Sequence, residues 1–488
     1  MRYLLLLTCT IFPLLSVCQP SDREKILKQS QSFSTNELME YATELTSPKY
    51  KGRLSGSPEF LEAAKWAAGK FQEWGVKPAN HGSYFQYFNN AYTEVFSTGS
   101  IVLHGKPGPG QETKLKFPED FYPGSNSASG SVTGEMVYVG FGITAPELNW
   151  DDYAGIDVKG KIVVMEYGLP WTKNDSTLKK WTPYDYHRYK FKNAQEHGAS
   201  GLLYISKVAN PNTSYQKNFI YAHIDNSVAE QVFKTAGKNY TEYKIAMVSD
   251  FAPASFDLGQ TATITAMTKN FPDSRSCNVT ALIEGSDPVL KNEVIILGAH
   301  LDGQGYLGTL FPGALDNASG VCDVMAAARA LVQSKVRPKR SVLFILFGGE
   351  ECGLFGSEYY VKHPLFPVRK VVCMTNLDMV GNGTGFSVEN GLSYPGLFKF
   401  FRDADNAWIH RNIQASALTK NYGRPRSDAS NFENTGYKTF SLYTTGSVKP
   451  VYYHQPFDNT ESLTPDIMED AAKLLYFAVL GLANDELN

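Results

Sequence analysis

The chain has 488 residues, of which 43% are hydrophobic and 19% charged, and its formal net charge at pH 7 is −3. This composition suits a globular protein with a large core, and the length corresponds to two or three domains. Because there is no basic excess, the composition argues against nucleic acid as a partner.

The first residues have the pattern of a secretory signal peptide, predicted to cover residues 1–19. Arg2 precedes a largely apolar stretch, residues 4–15, and small residues follow it. This stretch is too short to span a bilayer. The sequence LSVC, which ends at Cys18, also resembles a lipoprotein box, although its valine is unusual for one. We expect an exported protein, periplasmic or extracellular, that meets a membrane only if Cys18 is lipidated.

Two helices are predicted in the next part of the chain. Residues 35–45 and 58–74 both have apolar side chains at helical spacing. Ser57 precedes a proline at the first helical position, which is typical of a helix N-terminus. Generic amphipathic helices of this kind are expected to pack on a sheet.

The character of the sequence changes near residue 125. The polar stretch SNSASGSVTG, residues 125–134, is predicted to be a linker. Short strands and one helix are predicted to follow it, at residues 135–140, 161–166, 185–197 (the helix) and 201–205. We therefore expect a compact, β-rich insert at residues 126–255. The insert carries no cluster of metal-ligand residues in its sequence.

Chemistry-bearing residues begin at the end of the next apolar run. Residues 293–299, EVIILGA, predict a buried strand that delivers His300 at its end, where functional groups of parallel sheets lie. Asp302 follows two residues later. Asp316 lies in LDNASG, just before an Ala-rich helical segment, so a metal site and simple capping of that helix both explain the pattern.

Four more candidate residues come from three places later in the chain. The apolar residues 341–347 end at two glycines followed by Glu350 and Glu351, residues 371–377 lead into Asp378, and His454 follows two tyrosines. Adjacent residues that leave a strand point in different directions, so one carboxylate can bind a metal while the other faces substrate. Taken singly, the glutamate pair is equally explained by a solvated turn, and His300 by a structural histidine.

The combined ligand set is more specific than any of its members. Two imidazoles and three carboxylates, one of which bridges, suit two zinc ions about 3.5 to 4 Å apart. Cobalt or manganese would also accept these ligands. The sequence therefore predicts two Zn²⁺ ions per chain as the cofactors.

The motifs AHLD, ALDNASG, GGEECGLFGS, NLDMVG and YHQPFD, in this order, resemble peptidase family M28, whose members include aminopeptidase Y and glutamate carboxypeptidase. The stretches GKIVVMEYG and KNAQEHGASGLLYIS resemble a protease-associated (PA) domain. The resemblance implies an α/β fold, with a mixed, mostly parallel sheet flanked by helices and a β-rich PA domain inserted. The peptidase domain would then comprise residues 34–125 and 256–488.

The resemblance also implies a role for each candidate residue. Carried over by motif position, one zinc is held by His300 and Asp378, the other by Glu351 and His454, and Asp316 bridges them. Glu350 would be the general base, and Asp302 would orient His300 through the second imidazole N–H. Apart from the resemblance, the position of Tyr453 beside His454 suits either a hydrogen bond to the developing oxyanion or simple packing.

There is one departure from the family pattern. Many relatives carry Ser-Asp-His where this chain has Ser427, Asp428 and Ala429. Because the missing histidine is not one of the five ligands, the predicted metal site is complete, whereas the substrate contacts at this position differ.

These observations predict an exported zinc exopeptidase that acts on peptides, and an aminopeptidase is the favoured interpretation. They do not predict the oligomeric state. A glutamate-carboxypeptidase-like enzyme would need a cationic anchor for the terminal carboxylate, for which Arg424 and Arg426 are candidates. A glutaminyl cyclase would use one zinc. A non-catalytic, receptor-like protein would have lost ligands, whereas all five are present here.

Overall fold

The computed structural model describes residues 21–105, 112–170, 176–417 and 426–485. The predicted signal peptide, together with Cys18, and the candidate anchor Arg424 lie outside the described residues. Among the described helices, none combines the length and the apolar character needed to cross a bilayer.

The first of two large sheets is mixed, with parallel strands in its middle. Four parallel strands are neighbours in the order Ser341–Phe347, Val294–His300, Val371–Leu377 and Thr439–Thr445. The first two of these are buried along their whole length, which explains why their sequences are apolar without alternation. Toward the edges the sheet continues mainly through antiparallel pairs, with strands Lys77–Pro78, Phe85–Asn89, Arg275–Ile283, Gly385–Glu389 and Gln414–Ala415.

Helices cover both faces of this sheet. In the strand Val294–His300, Ile295 and Leu297 belong to the larger apolar core, and Val294 and Ile296 belong to a smaller one on the other face. The helices that accompany this sheet are Asp22–Ser30, Thr35–Leu45, Pro58–Trp74, Ser319–Gln333, Phe355–Lys362, Pro395–Ala404, Asp428–Asn434 and Pro465–Asn484. An α/β architecture of this type is the one that the sequence predicted.

The two predicted N-terminal helices are confirmed. They span Thr35–Leu45 and Pro58–Trp74. The hydroxyl of Ser57 accepts a hydrogen bond from the amide of Phe60 at 3.1 Å, so it caps the second helix as predicted. Trp74 is followed by Gly75 in the left-handed conformation (φ 81°), which ends the helix.

The second large sheet is also mixed and lies beside the first. Its strand order is Glu112–Lys114, Ser100–His104, Phe256–Ala266, Gly130–Tyr138, Ile162–Glu166, Gly201–Ile205, Ile220–Ile224 and Phe121–Pro123. Strands from outside the predicted interval 126–255 therefore pair in it. The helices that accompany it are Leu178–Asp185, His187–Glu196, Asn226–Thr235 and Tyr240–Asp250, where the sequence predicted only one.

The prediction of a linker at residues 125–134 is wrong. Residues 125–128 are buried, and Gly130–Tyr138 is a strand. The buried polar groups are satisfied by distant partners: the hydroxyl of Ser127 accepts from the amide of Tyr221 at 3.1 Å, and the amide of Asn126 donates to the Tyr221 hydroxyl at 2.8 Å. Polarity here reflects a hydrogen-bonded interior, which a polar composition cannot distinguish from a loop.

Three short antiparallel pairs complete the β-structure of the described residues. They join Tyr92–Val95 to Thr268–Phe271, Gly305–Tyr306 to Leu310–Phe311, and Thr144–Ala145 to Trp150–Asp151. The first of these pairs lies where the chain passes between the two large sheets.

The strand directions bring several chain segments to one edge of the first sheet. His300 is opposite Phe347 in the parallel register, and Ala299 is opposite Leu377. The residues that follow these three strands therefore emerge side by side, which is where parallel sheets place their functional groups.

Candidate metal centre

Five predicted ligands meet at this edge of the sheet. His300, Asp316 and Glu351 are almost completely buried, at 1%, 5% and 8% exposure. The Asp378 side chain is 27% exposed and that of His454 is 10% exposed. The centre is therefore buried, with one more exposed side at Asp378.

Two groups of possible ligands share one residue, Asp316. In the first, Nε2 of His300 lies 3.2 Å from Oδ1 of Asp316 and 3.5 Å from Oδ1 of Asp378. In the second, Nε2 of His454 lies 3.2 Å from Oδ2 of Asp316 and 3.2 Å from Oε2 of Glu351. The ligand atoms of each group lie within 4.8 Å of one another, so each group is compact enough to surround one cation.

Glu350 borders both groups. It forms a third set of neighbouring donor atoms with His300 and Glu351, again within 4.8 Å. Its side chain is not a member of either group that contains Asp316. A carboxylate in this position faces the pocket without being needed to complete a ligand set.

Burial and the neighbouring charges shift the titration of these groups. Burial opposes protonation of His454, but Glu351 and Asp316 outweigh it and raise the pKa of His454 to about 10. The pKa of His300 is raised in the same way by Asp316 and Asp378. Burial also raises the pKa of the Glu350 carboxyl. The carboxylates of the cluster thus outnumber its two imidazoles. The resulting negative charge favours the binding of protons and, for the same reason, of cations.

The chemistry of the donors fits divalent cations. Oε1 of Glu351 and Oδ1 of Asp378 are buried without a hydrogen-bond partner among the described residues. Histidines are the only basic side chains within 4.0 Å of these carboxylates in the described part of the chain. Buried carboxylates normally need a cationic partner, and imidazole together with carboxylate suits zinc.

Asp302 contacts the centre differently from the prediction. Nδ1 of His300 lies 3.1 Å from the backbone oxygen of Asp302 and 3.9 Å from its carboxylate. The carboxylate instead accepts hydrogen bonds from the amides of Glu350 and Glu351, at 3.1 and 3.2 Å. Asp302 therefore orients His300 through its backbone and the glutamate pair through its side chain.

Tyr453 lies beside the centre. Its ring stacks on the imidazole of His454, with the ring centroids 3.7 Å apart, and 49% of the residue is exposed. The stacking restricts rotation of the imidazole. The exposure leaves the tyrosine at the rim of the pocket.

Two residues that hold the backbone around Asp316 were not predicted from the sequence. Asp458 accepts hydrogen bonds from the amides of Leu315 and Asp316, at 2.9 and 3.0 Å. The side chain of Asn317 donates to the carbonyl of Leu377 at 2.8 Å and accepts from the amide of Met379 at 3.2 Å. Asp458 lies in the motif YHQPFD and Asn317 in the motif ALDNASG. Their position in these motifs is the sequence feature from which they could have been predicted.

Arg53 is a third positioning residue and lies far from these motifs. It is completely buried and has no carboxylate partner among the described ion pairs. Its guanidinium donates to four backbone carbonyls, those of Leu45, Leu301, Pro312 and Gly313, at 2.7 to 2.8 Å. Arg53 therefore ties an N-terminal segment to the backbone that follows His300 and to the backbone that precedes Asp316.

The segment that departs from the family pattern also faces the centre. Asp428 is fully buried, and burial, partly offset by the charge of His300, raises its pKa to about 7. Nearby, Arg426 is exposed, and its charge lowers the pKa of the Glu389 carboxyl, which burial raises. Of the two candidate anchors for a substrate carboxylate, only Arg426 lies within the described residues.

Comparisons with known proteins agree with this geometry. Residues 278–479 match the family model of peptidase family M28, and residues 132–240 match the model of the PA domain. The chain is 28% identical to a probable leucine aminopeptidase 2 of Aspergillus oryzae over 43% of this chain and 45% of that protein. It is 26% identical to aminopeptidase YwaD of Bacillus subtilis over 47% of this chain and 50% of that protein. The matched region thus spans about half the length of these curated relatives.

The fold is similar to that of a solved zinc aminopeptidase from Bacillus subtilis. The TM-score is 0.63 at 21% sequence identity, and the similarity covers 93% of this chain and 96% of that one. The similarity therefore extends over both large sheets. Residues 278–479 accordingly form a peptidase family M28 domain, and residues 132–240 form a PA domain.

Proposed function

We propose that this chain is an exported aminopeptidase that uses two zinc ions to hydrolyse N-terminal peptide bonds. The observation that carries the proposal is the pair of imidazole and carboxylate groups that share Asp316. His300 and Asp378 would hold one zinc, Glu351 and His454 the other, and Asp316 would bridge them. The names of relatives, which include leucine aminopeptidases, support the same activity.

The protein groups divide the chemistry between them. When bound, the zinc ions would polarise the scissile carbonyl and acidify water. Glu350, which borders the ligand groups, would take the proton from the attacking water and return it to the leaving amine. Tyr453, at the rim, would donate a hydrogen bond to the oxygen on which negative charge develops. Asp302 would keep Glu350 and Glu351 in place through their amides.

The side chains around the centre favour an amine over a carboxylate as the recognised end of the substrate. The centre contains four carboxylates, and histidines are the only basic groups within 4.0 Å of them among the described residues. Two bound zinc ions would offset the charge of these carboxylates, so individual groups distinguish the two ends of the substrate: Glu350 or a zinc ligand would accept a protonated α-amine, whereas a terminal carboxylate would need a cationic anchor.

The proposed export rests on the sequence of residues 1–19. Lipidation of Cys18, the alternative to simple cleavage of the signal peptide, would attach the protein to a membrane. Mass spectrometry of the mature N-terminus decides between cleavage after the signal peptide and a lipid-bearing cysteine.

A substrate assay combined with a metal measurement tests the function. Purified protein is given amino-acid amides with either a free or an acetylated α-amine, and zinc is counted per chain. We expect hydrolysis of the free amides only and a content near two zinc ions. Hydrolysis of the acetylated substrates alone would refute the aminopeptidase assignment. One zinc per chain with release of cyclised N-terminal glutamine would indicate a glutaminyl cyclase instead.

A further inference from the structure

A loop of the second sheet reaches the metal centre of the first. The loop comprises residues 206–214 and follows the strand Gly201–Ile205, inside the region that matches the PA domain. Ala209, which is completely buried, forms two hydrogen bonds with His454. Its carbonyl accepts from Nδ1 of the imidazole at 2.9 Å, and its amide donates to the His454 carbonyl at 3.0 Å.

The same loop holds the backbone beside the other ligand of this group. The amide of Thr213 donates to the carbonyl of Cys352 at 3.2 Å, and its hydroxyl lies 3.4 Å from the same oxygen. Cys352 directly follows Glu351, whose carboxylate is 3.2 Å from Nε2 of His454. Ala209 therefore contacts the backbone of His454, and Thr213 contacts the backbone of the residue that follows Glu351. The loop thus touches the chain at or next to both of these ligands.

The residues between these two contacts are fixed by Asn126. Its side-chain nitrogen donates to the carbonyls of Pro211 and Asn212, both at 3.0 Å. The neighbouring Ser125 hydroxyl accepts from the amide of Asn210 at 3.3 Å. Asn126 is 4% exposed, so these bonds are shielded from competition by water.

We propose that Asn126 is a positioning residue for the metal centre: by holding the 206–214 loop, it fixes the ring orientation of His454 and thereby sets the affinity of one zinc position. The proposal rests on the zinc binding proposed above. It concerns the position formed by Asp316, Glu351 and His454. The position formed by His300, Asp316 and Asp378 takes its supporting bonds from other segments.

The physical reason is the tautomer and the orientation of the imidazole. Donation from Nδ1 to the Ala209 carbonyl leaves the lone pair of Nε2 pointing at Asp316 and Glu351. If the loop shifts, the ring loses its acceptor and can rotate about its side-chain bonds. Outer partners of ligand histidines typically change metal affinity about 10- to 100-fold. The corresponding acceptor for His300 is the backbone of Asp302, which the loop does not contact.

The test uses Asn126→Asp, which preserves the shape of the side chain and replaces its donor by an oxygen facing two carbonyls. Asn193→Asp is the matched control. Asn193 is also buried beside the second sheet, and its side-chain nitrogen donates to the Gly142 carbonyl at 3.0 Å and to the Thr144 hydroxyl at 3.2 Å, away from the loop. Full-length proteins are stripped of metal and titrated with zinc in competition with a chromophoric chelator.

We expect Asn126→Asp to weaken one of two zinc affinities about 10- to 100-fold and to leave the other unchanged. Asn193→Asp should retain both wild-type affinities. Ser125→Ala, a milder change of the same loop, should weaken the same position to a smaller extent, which covers the case in which Asn126→Asp does not fold. A purely structural role would affect both positions together or neither.

The contrary outcomes are distinct. Two wild-type affinities in the loop variants, or an equal loss in Asn193→Asp, would overturn the positioning role while leaving the enzyme assignment intact. A wild-type protein that binds no zinc would overturn the proposed function, and with it this inference. A wild type with two zinc ions and normal peptide hydrolysis, combined with unchanged loop variants, separates the two failures.

Discussion

The carboxylate of Asp458 holds the backbone of Asp316: its Oδ2 accepts a hydrogen bond from the Asp316 amide at 3.0 Å, while its Oδ1 accepts from the preceding amide at 2.9 Å. Asp316 is the residue common to both ligand groups. A side chain that no zinc would touch thus determines where the shared ligand lies.

Asp458→Asn should therefore weaken zinc binding at both positions, because the amide NH₂ would face a backbone N–H. We expect a loss of about 10- to 100-fold in affinity, measured by zinc titration of the metal-free protein. Asp405→Asn is the control: Asp405 is also buried and accepts from two amides, those of Arg411 and Ile413, at 2.8 and 3.0 Å. Equal zinc binding by wild type and Asp458→Asn would contradict the role given to Asp458.

Glu350→Gln should abolish turnover while the protein keeps its zinc. Glutamine retains the shape of the side chain but cannot accept the proton of the attacking water, so kcat should fall at least about 100-fold. Steady-state kinetics and metal analysis of the same sample check this. Glu358→Gln, at an ion pair with Lys362 on the surface, should leave kcat unchanged. Near-normal turnover by Glu350→Gln would remove this residue from the mechanism.

Asp323→Asn should stabilise the protein, and more so at higher pH. Asp323 is fully buried, neither oxygen of its carboxyl has a hydrogen-bond partner among the described residues, and burial raises its pKa. Because the folded pKa lies above the unfolded one, the folded state binds more protons, and stability is lost as the pH rises above the unfolded value near 3.9.

The advantage of the asparagine variant should then grow by up to about 1.4 kcal/mol per pH unit until the pH reaches the folded pKa. Thermal unfolding of both proteins between pH 4 and pH 8, at fixed ionic strength, measures this difference. A difference that is constant across the range would mean that Asp323 is not the group responsible.

Arg53→Met should destabilise the protein by at least about 3 kcal/mol, since it removes a donor from four buried carbonyls, of which only that of Gly313 keeps another described donor, the Ala318 amide. Chemical denaturation of the metal-free proteins measures the change. Arg402→Met provides a control, because Arg402 is exposed and its described ion pair, with Asp403, is also exposed. A loss below about 1 kcal/mol for Arg53→Met would show that water or other donors replace the guanidinium.

Much of the first sheet was predictable because the apolar pattern of each strand and helix shows by itself which of its residues are buried. The strands Ser341–Phe347 and Val371–Leu377 have the predicted bounds. The helices Thr35–Leu45 and Pro58–Trp74 were found from spacing and a serine cap, whereas the helix Asp22–Ser30 was not predicted. Parallel strands end at a common edge, so polar residues after three such strands were expected to meet. The meeting of His300, Glu351 and Asp378 follows from that rule.

The parts that were missed depend on bonds to the backbone. Arg53 contacts carbonyls, and the Ala209 carbonyl contacts His454, so neither partner leaves a side-chain signature in the sequence. Asn126 lies in a stretch that looks like a flexible linker, yet it is buried because all its hydrogen bonds are made to distant segments. Composition reports how polar a segment is and does not report whether its partners are water or protein.

The five candidate ligands are spread along the chain from His300 to His454, and the supporting loop comes from a still earlier part. No fragment shorter than this span contains a complete set. During synthesis the chain therefore lacks a complete ligand set until residue 454 has been made and has folded against the rest. The proposed metal centre is therefore among the last features of the fold that can form, after nearly all of the chain has been made.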